Sequence, residues 1–341
     1  RGARSGGTAT ALRTLPRRPD DPDRRARLEW FEQNCADLHE RYGDVDEGAP
    51  ATYIPELANV DADRFGVAAV TTDGRRIGVG DHEHPFTIQS ISKLLVYGLA
   101  LETHGRDAVH ERVGVAPTGD SFNAIVLDDD ANRAPNPMVN AGAIAIADMV
   151  AGDDLDDRVE QVRSMYARYL GRPPEVDADV WRSERATGNR NRAIAYLMLS
   201  QGILDDRVEE TLDLYFAQCS VVVTADDLAM IGATIANHGV HPVTGEQVVP
   251  RDVTRDRLTV ALTCGMYDYA GEWAYSVGIP AKSGVGGGIV GMLPGAGAIS
   301  VFSPRLDEHG NSVRGLRVFE ELSRQFEMHV FDPLRPWRPG S

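Results

Sequence analysis

Ser90 and Lys93, in "QSISK" (89–93), set a hydroxyl and an amine three positions apart, the spacing that brings two side chains together on one face of a helix. A serine attacks well only after losing its proton, so it needs a base within hydrogen-bond reach and donors for the oxyanion its attack creates. Lysine becomes such a base when burial or a neighbouring cation lowers its pKa, whereas arginine stays charged. Of 35 basic residues only Lys93 and Lys282 are lysines, and the other 33 are arginines. A general bias toward arginine explains that scarcity but not the placement of the two lysines. One follows a serine by three positions, and the other begins "KSG" (282–284). Taken alone, "QSISK" also reads as a polar turn entering an apolar helix, and "AKSGVGGG" (281–288) as a glycine-rich β-turn.

The surrounding pattern places both strings. Leu28, Phe31, Cys35 and Leu38 predict an amphipathic helix over 26–42, and two β-rich runs around Asp73-Gly74 predict a hairpin over 66–82. A helix is expected after Pro85, ending at Gly105, with Ser90 at or near its N-terminus, where unpaired amides and the helix dipole favour developing negative charge. The middle of the chain reads as helices over 139–151, 155–170, 190–203, 207–217 and 225–237. After residue 276, glycine and β-branched residues predict antiparallel strands over 279–284, 288–293 and 297–303, and then a last helix near 312–327. On an edge strand, the small residues of "KSG" would let a carbonyl approach the backbone and reach a main-chain N–H.

Composition excludes several partner classes. A net charge of −16 argues against a nucleic-acid backbone and favours solubility at high salt, with activity retained there. No stretch reaches the roughly 18–20 apolar residues that cross a bilayer. Residues 1–25, rich in Arg, Gly, Pro and Asp, lack the apolar segment of a secretory signal and read as a disordered tail. Cys35, Cys219 and Cys264 are too few and scattered for a disulfide framework, which suits a reducing cytoplasm, and they read as small buried residues. The nine histidines show no ligand spacing, so no metal site is assigned.

Ser-x-x-Lys followed by a distant Lys-Ser/Thr-Gly is the arrangement of penicillin-binding proteins and class A β-lactamases. The chain more specifically resembles the serine-dependent glutaminases, which have a β-lactamase-like fold. The resemblance runs from about residue 25 to 333. It rests on "YIPELA" (53–58), "QSISK" (89–93), "NPMVNAGAI" (136–144), "SERATGNRNRAIAYL" (183–197), "DLYFAQCSV" (213–221), "LTCGMYD" (262–268), "PAKSGVGGGIVG" (280–291) and "GNSVRGLRVFEELS" (310–323). It implies an α+β fold, an antiparallel sheet flanked by helices with an inserted helical lobe. The sheet-containing lobe would cover about 26–110 and 245–333, the helical lobe about 111–244, and a C-terminal tail 334–341. It also implies a cofactor-free hydrolysis of L-glutamine and a homodimer or homotetramer. Residue by residue, it makes Ser90 the nucleophile, Lys93 its base or proton relay, Tyr53 and Tyr267 hydroxyls beside the reacting centre, and the N–H groups of Ser90 and Val285 the oxyanion donors. Substrate contacts fall on Gln89, Ser90, Asn140, Glu184, Asn191, Tyr215, Tyr267 and Val285.

That set suits an amino-acid head group. Glu184 can meet an ammonium, while Asn140, Asn191 and Tyr215 offer neutral donors to a carboxylate. Glu184 and Asn191, seven apart, are expected about two turns along one helix, and Asn140 also suits a helix N-cap. Two rival readings stay open: a β-lactam or peptide hydrolase with the same Ser-Lys core, and a non-catalytic amino-acid-binding protein.

Overall fold

The computed structural model describes residues 24–119, 127 and 132–332. Most of the tail expected over 1–25, and all of 334–341, lie outside the described residues. Twelve α-helices are described: α1 Arg24–Gly43, α2 Pro55–Ala58, α3 Ser92–Arg112, α4 Asn140–Asp148, α5 Leu155–Leu170, α6 Ala178–Thr187, α7 Asn189–Ser200, α8 Val208–Cys219, α9 Ala225–Ala236, α10 Arg251–Cys264, α11 Ala270–Ser276 and α12 Val313–Phe326. The strands are β1 Gly66–Thr71, β2 Arg76–Gly80, β3 Phe86–Thr87, β4 Val222–Val223, β5 Ala281–Gly284, β6 Gly288–Leu293 and β7 Gly297–Phe302. Among the described residues, no helix is long and apolar enough to cross a membrane.

Five strands form one antiparallel sheet in the order β2-β1-β7-β6-β5. Strand alternation divides its side chains between two cores. Ala68, Val70, Val290, Met292, Ala298 and Phe302 join the core that α3, α4, α8 and α9 complete. Val67, Ala69, Ile289, Ile299 and Val301 join the one built with α1, α11 and α12. Helix α9 lies directly on β1, β6 and β7, although its sequence falls in the stretch expected to form the helical lobe. Gly232 allows that approach, since a Cβ there would lie 2.7 Å from the Ala298 side chain.

The hairpin, the C-terminal strands and the last helix lie within a few residues of the expectation, and α5 matches it residue for residue. Three expectations need correction. Helix α3 breaks at Gly105, where φ is 79°, but resumes and runs to Arg112. Asn140 is the first residue of α4 rather than its cap: Val139 holds the cap position, and the Asn136 side chain accepts from the Met138 and Val139 amides. Glu184 and Asn191 stand on separate helices, α6 and α7, because the chain turns at Gly188. A Cβ on Gly188 would come within 2.5 Å of the Phe216 ring and 2.7 Å of the Glu184 carbonyl.

Candidate active site

The short β3–β4 ladder and a bond from the Ile88 amide to the Val221 carbonyl (2.8 Å) fasten the segment that leads into Ser90. A 3₁₀ turn, Gln89–Ile91, then opens α3. Gln89 has φ of 50°, a left-handed conformation that costs a non-glycine residue on the order of 1 kcal/mol and is held only where its surroundings impose it. Edge strand β5 imposes it here. A Cβ on Gly284 would meet the Ile88 carbonyl at 2.8 Å and the Ser90 amide at 3.4 Å, so only glycine lets strand and turn come so close. The edge position expected for "KSG" is the one observed.

Ser90 opens onto a cavity of about 270 Å³, which Gln89, Asn140, Glu184, Asn191, Tyr215, Tyr53 and Val285 also line. Lys93 and Tyr267 stand behind that wall. Lys93, 1% exposed, donates to Asn140 Oδ1 at 2.6 Å and to the Met138 carbonyl at 3.2 Å. Asn140 Nδ2 donates to Asn191 Oδ1 at 2.8 Å, so an amide chain joins α3, α4 and α7. One hydrogen of Asn140 and both of Asn191 are then left over for a ligand. The Tyr267 hydroxyl donates to the Ser283 carbonyl at 3.2 Å and is hydrogen-bonded to Ser90. Tyr53 is 48% exposed, while its hydroxyl is shared between Gln89 Oε1 (3.2 Å) and Glu184 Oε1 (3.4 Å).

Burial dominates the electrostatics. It lowers the Lys93 ammonium to about 8, against smaller opposing effects of Cys219 and Glu184. It raises the Glu184 carboxyl to about 7, moderated by the Tyr53 bond, the Lys93 charge and Gln89. An amine and a carboxyl tuned toward neutrality from opposite ends, Glu184 on the cavity wall and Lys93 just behind it, are the kind of perturbed pair found at functional sites.

A family model described as Glutaminase matches residues 48–331. The chain belongs to the glutaminase family. A glutaminase of Nostoc sp. is 55% identical over 299 residues, which span 88% of this chain and 90% of that relative. One from Clostridium botulinum is 47% identical over 290 residues, 84% of this chain and 95% of the relative. The solved structure of a probable glutaminase from Bacillus subtilis superposes with a TM-score of 0.81 at 35% identity, covering 88% of this chain and 98% of that one. The structure of Mglu in its glutamate form gives 0.85 at 43% identity, over 89% of this chain and 69% of that chain. The antiparallel sheet flanked by helices is thus the β-lactamase-like fold of glutaminases.

The cavity is also lined by residues that sequence reasoning passed over. Thr187, Gly188 and Arg190 line the cavity, the first two where α6 meets α7 and Arg190 one step on. Their place inside "SERATGNRNRAIAYL" was the available signal. Cys219, read as a small core residue, is buried but lines the cavity too, hydrogen-bonded by Ser92 and Tyr215. Burial lifts its thiol to about 12, which leaves it a poor nucleophile.

Proposed function

We propose that the protein is a glutaminase that hydrolyses L-glutamine to L-glutamate and ammonia through a γ-glutamyl ester on Ser90. The observation that carries this reading is one small cavity in which Ser90 faces Glu184 and the Asn140–Asn191 pair. Glu184 takes the substrate ammonium, and the spare hydrogens of Asn140 and Asn191, with the Tyr215 hydroxyl, take its carboxylate. With both ends of the head group held, the side-chain amide is directed at Ser90. Lys93 accepts the Ser90 proton, directly or through Tyr267, as the oxygen attacks. The Ser90 and Val285 N–H groups hold the oxyanion. The Lys93 ammonium returns that proton to the departing nitrogen as collapse expels ammonia, and water, giving a proton to Lys93 as it attacks, then cleaves the ester and restores the Ser90 hydroxyl. The likeness to Mglu, whose structure is described in its glutamate form, is in keeping with glutamate as the product.

The reading favours glutamine over a β-lactam because a buried carboxylate left without a cation is costly, and a β-lactam or peptide hydrolase has no evident use for Glu184. Ammonia release from glutamine and from asparagine tests it. Asparagine is one methylene shorter, so with its head group bound its amide stops short of Ser90, and kcat/KM should fall by about 100-fold or more. Equal rates, or nitrocefin turnover without ammonia release from glutamine, would contradict the reading.

A pH dependence follows from the same groups. Glu184 binds an ammonium only when ionised, and its carboxyl titrates near 7; Lys93 accepts a proton only when neutral, and its ammonium titrates near 8. Both losses of a proton increase activity. The value of kcat/KM should therefore rise between about pH 6 and 9 and show no descending limb within that interval from these two groups. A profile that peaks below pH 7 would exclude neutral Lys93 as the base.

A further inference from the structure

Lys282 has no part in the steps above, yet it is fully buried beside them. Alternation along β5 turns Lys282 and Gly284 to the face covered by the Ser90 turn, and Ser283 to the opposite face with Ala281. Lys282 Nζ lies 3.8 Å from the centre of the Tyr267 ring and donates to the Ser283 carbonyl at 2.6 Å. The same carbonyl accepts the Tyr267 hydroxyl, which is also bonded to Ser90. Lys93 Nζ approaches the same ring at 5.8 Å. Both lysines of the chain therefore face one phenol.

Tyr267 needs such support. Its φ of 58° is left-handed, in a 3₁₀ turn (Tyr267–Tyr269) just after α10, and a bulky side chain stays there only when its surroundings over-determine it. Lys282 supplies two of the constraints, by covering the ring and by bonding the acceptor that fixes the hydroxyl. We propose that Lys282 is a positioning residue for the hydrolysis, holding the Tyr267 ring and hydroxyl where that hydroxyl meets Ser90. The proposal rests on the reading of Ser90 as nucleophile. Burial, and then the neighbouring charge of Lys93, pushes the Lys282 ammonium well below the ordinary lysine value.

The test is a double-mutant cycle of Lys282→Met and Tyr267→Phe, with kcat and KM for glutamine and Tm measured for all four proteins. Lys282→Met should lower kcat about 10- to 100-fold with KM within about threefold, because the head-group contacts are untouched. In the Tyr267→Phe background, which has no hydroxyl to position, the same change should lower kcat by less than about twofold. Losses that multiply, or full kcat in Lys282→Met, would overturn the proposal. If Lys282→Met does not fold, Lys282→Gln carries the same cycle. Wild-type protein that releases no ammonia would instead overturn the glutaminase reading itself, so the two failures are distinguishable.

Discussion

Ser90→Ala should abolish ammonia release from glutamine, lowering kcat by about 10³-fold or more, while glutamine and glutamate still bind within about threefold of their wild-type affinity. The split follows from where the contacts lie. The residues proposed to meet the head group, Asn140, Glu184, Asn191 and Tyr215, line the cavity from α4, α6, α7 and α8. None of them depends on the Ser90 hydroxyl, which acts only on the amide. Removing it leaves the ground-state complex and takes away the covalent route, so the loss falls on kcat. Titration calorimetry of the variant with glutamine, beside an ammonia assay, reads both halves. Ammonia release at the wild-type rate would remove Ser90 from the mechanism, and loss of binding would mean that the turn at Gln89–Ile91 had collapsed.

Lys93→Arg carries the second large effect, an expected loss in kcat of about 10³-fold. Arginine keeps a positive charge and a donor to Asn140 but cannot be deprotonated at any working pH. It therefore tests the base separately from the charge. Lys93 donates to the Met138 carbonyl and to Asn140, and burial lowers its ammonium to about 8 against the opposing effects of Cys219 and Glu184. The variant's residual activity should lose the rise in kcat/KM near pH 8 and keep the one near pH 7 that reports Glu184. A variant that retained most of its activity, with the pH 8 limb intact, would assign the base elsewhere. Because a guanidinium is larger than an ammonium, Lys93→Met serves as a control for volume: equal losses in both variants, with Tm preserved, point to missing base function rather than crowding.

Much of this was legible in the sequence, for physical reasons that differ by element. Helix α5 could be read because Val162, Met165, Tyr166 and Tyr169 recur at helical spacing between an Asp154 cap and a left-handed Gly171. The C-terminal strands were legible because glycine and β-branched residues have few other uses in such runs. Helix α10 was missed, since Thr254 and Arg257 are buried and break the expected polarity, Arg257 being satisfied in part by the Tyr169 hydroxyl at 2.6 Å. Glu184 and Asn191 do line one cavity, as expected, but from two helices rather than one. The turn at Gly188 depends on Phe216, far along the chain on α8, and no local pattern shows that contact. The links from Lys93 to Asn140 and from Tyr53 to Glu184 are likewise long-range, so local spacing could nominate those residues but not connect them. Family resemblance nominated them together; Tyr53, Asn140 and Glu184 line one cavity, and Lys93 lies behind it, bonded to Asn140.

The central claim is a covalent γ-glutamyl ester on Ser90, and acid-quenched turnover tests it most directly. Protein mixed with isotopically labelled glutamine near pH 8 and quenched within a turnover should give, after digestion and mass spectrometry, a labelled glutamyl adduct on the peptide that contains Ser90. The Ser90→Ala protein should give none, and added hydroxylamine should divert the label to γ-glutamyl hydroxamate. Rapid ammonia release with no adduct on Ser90 and no hydroxamate would contradict the account.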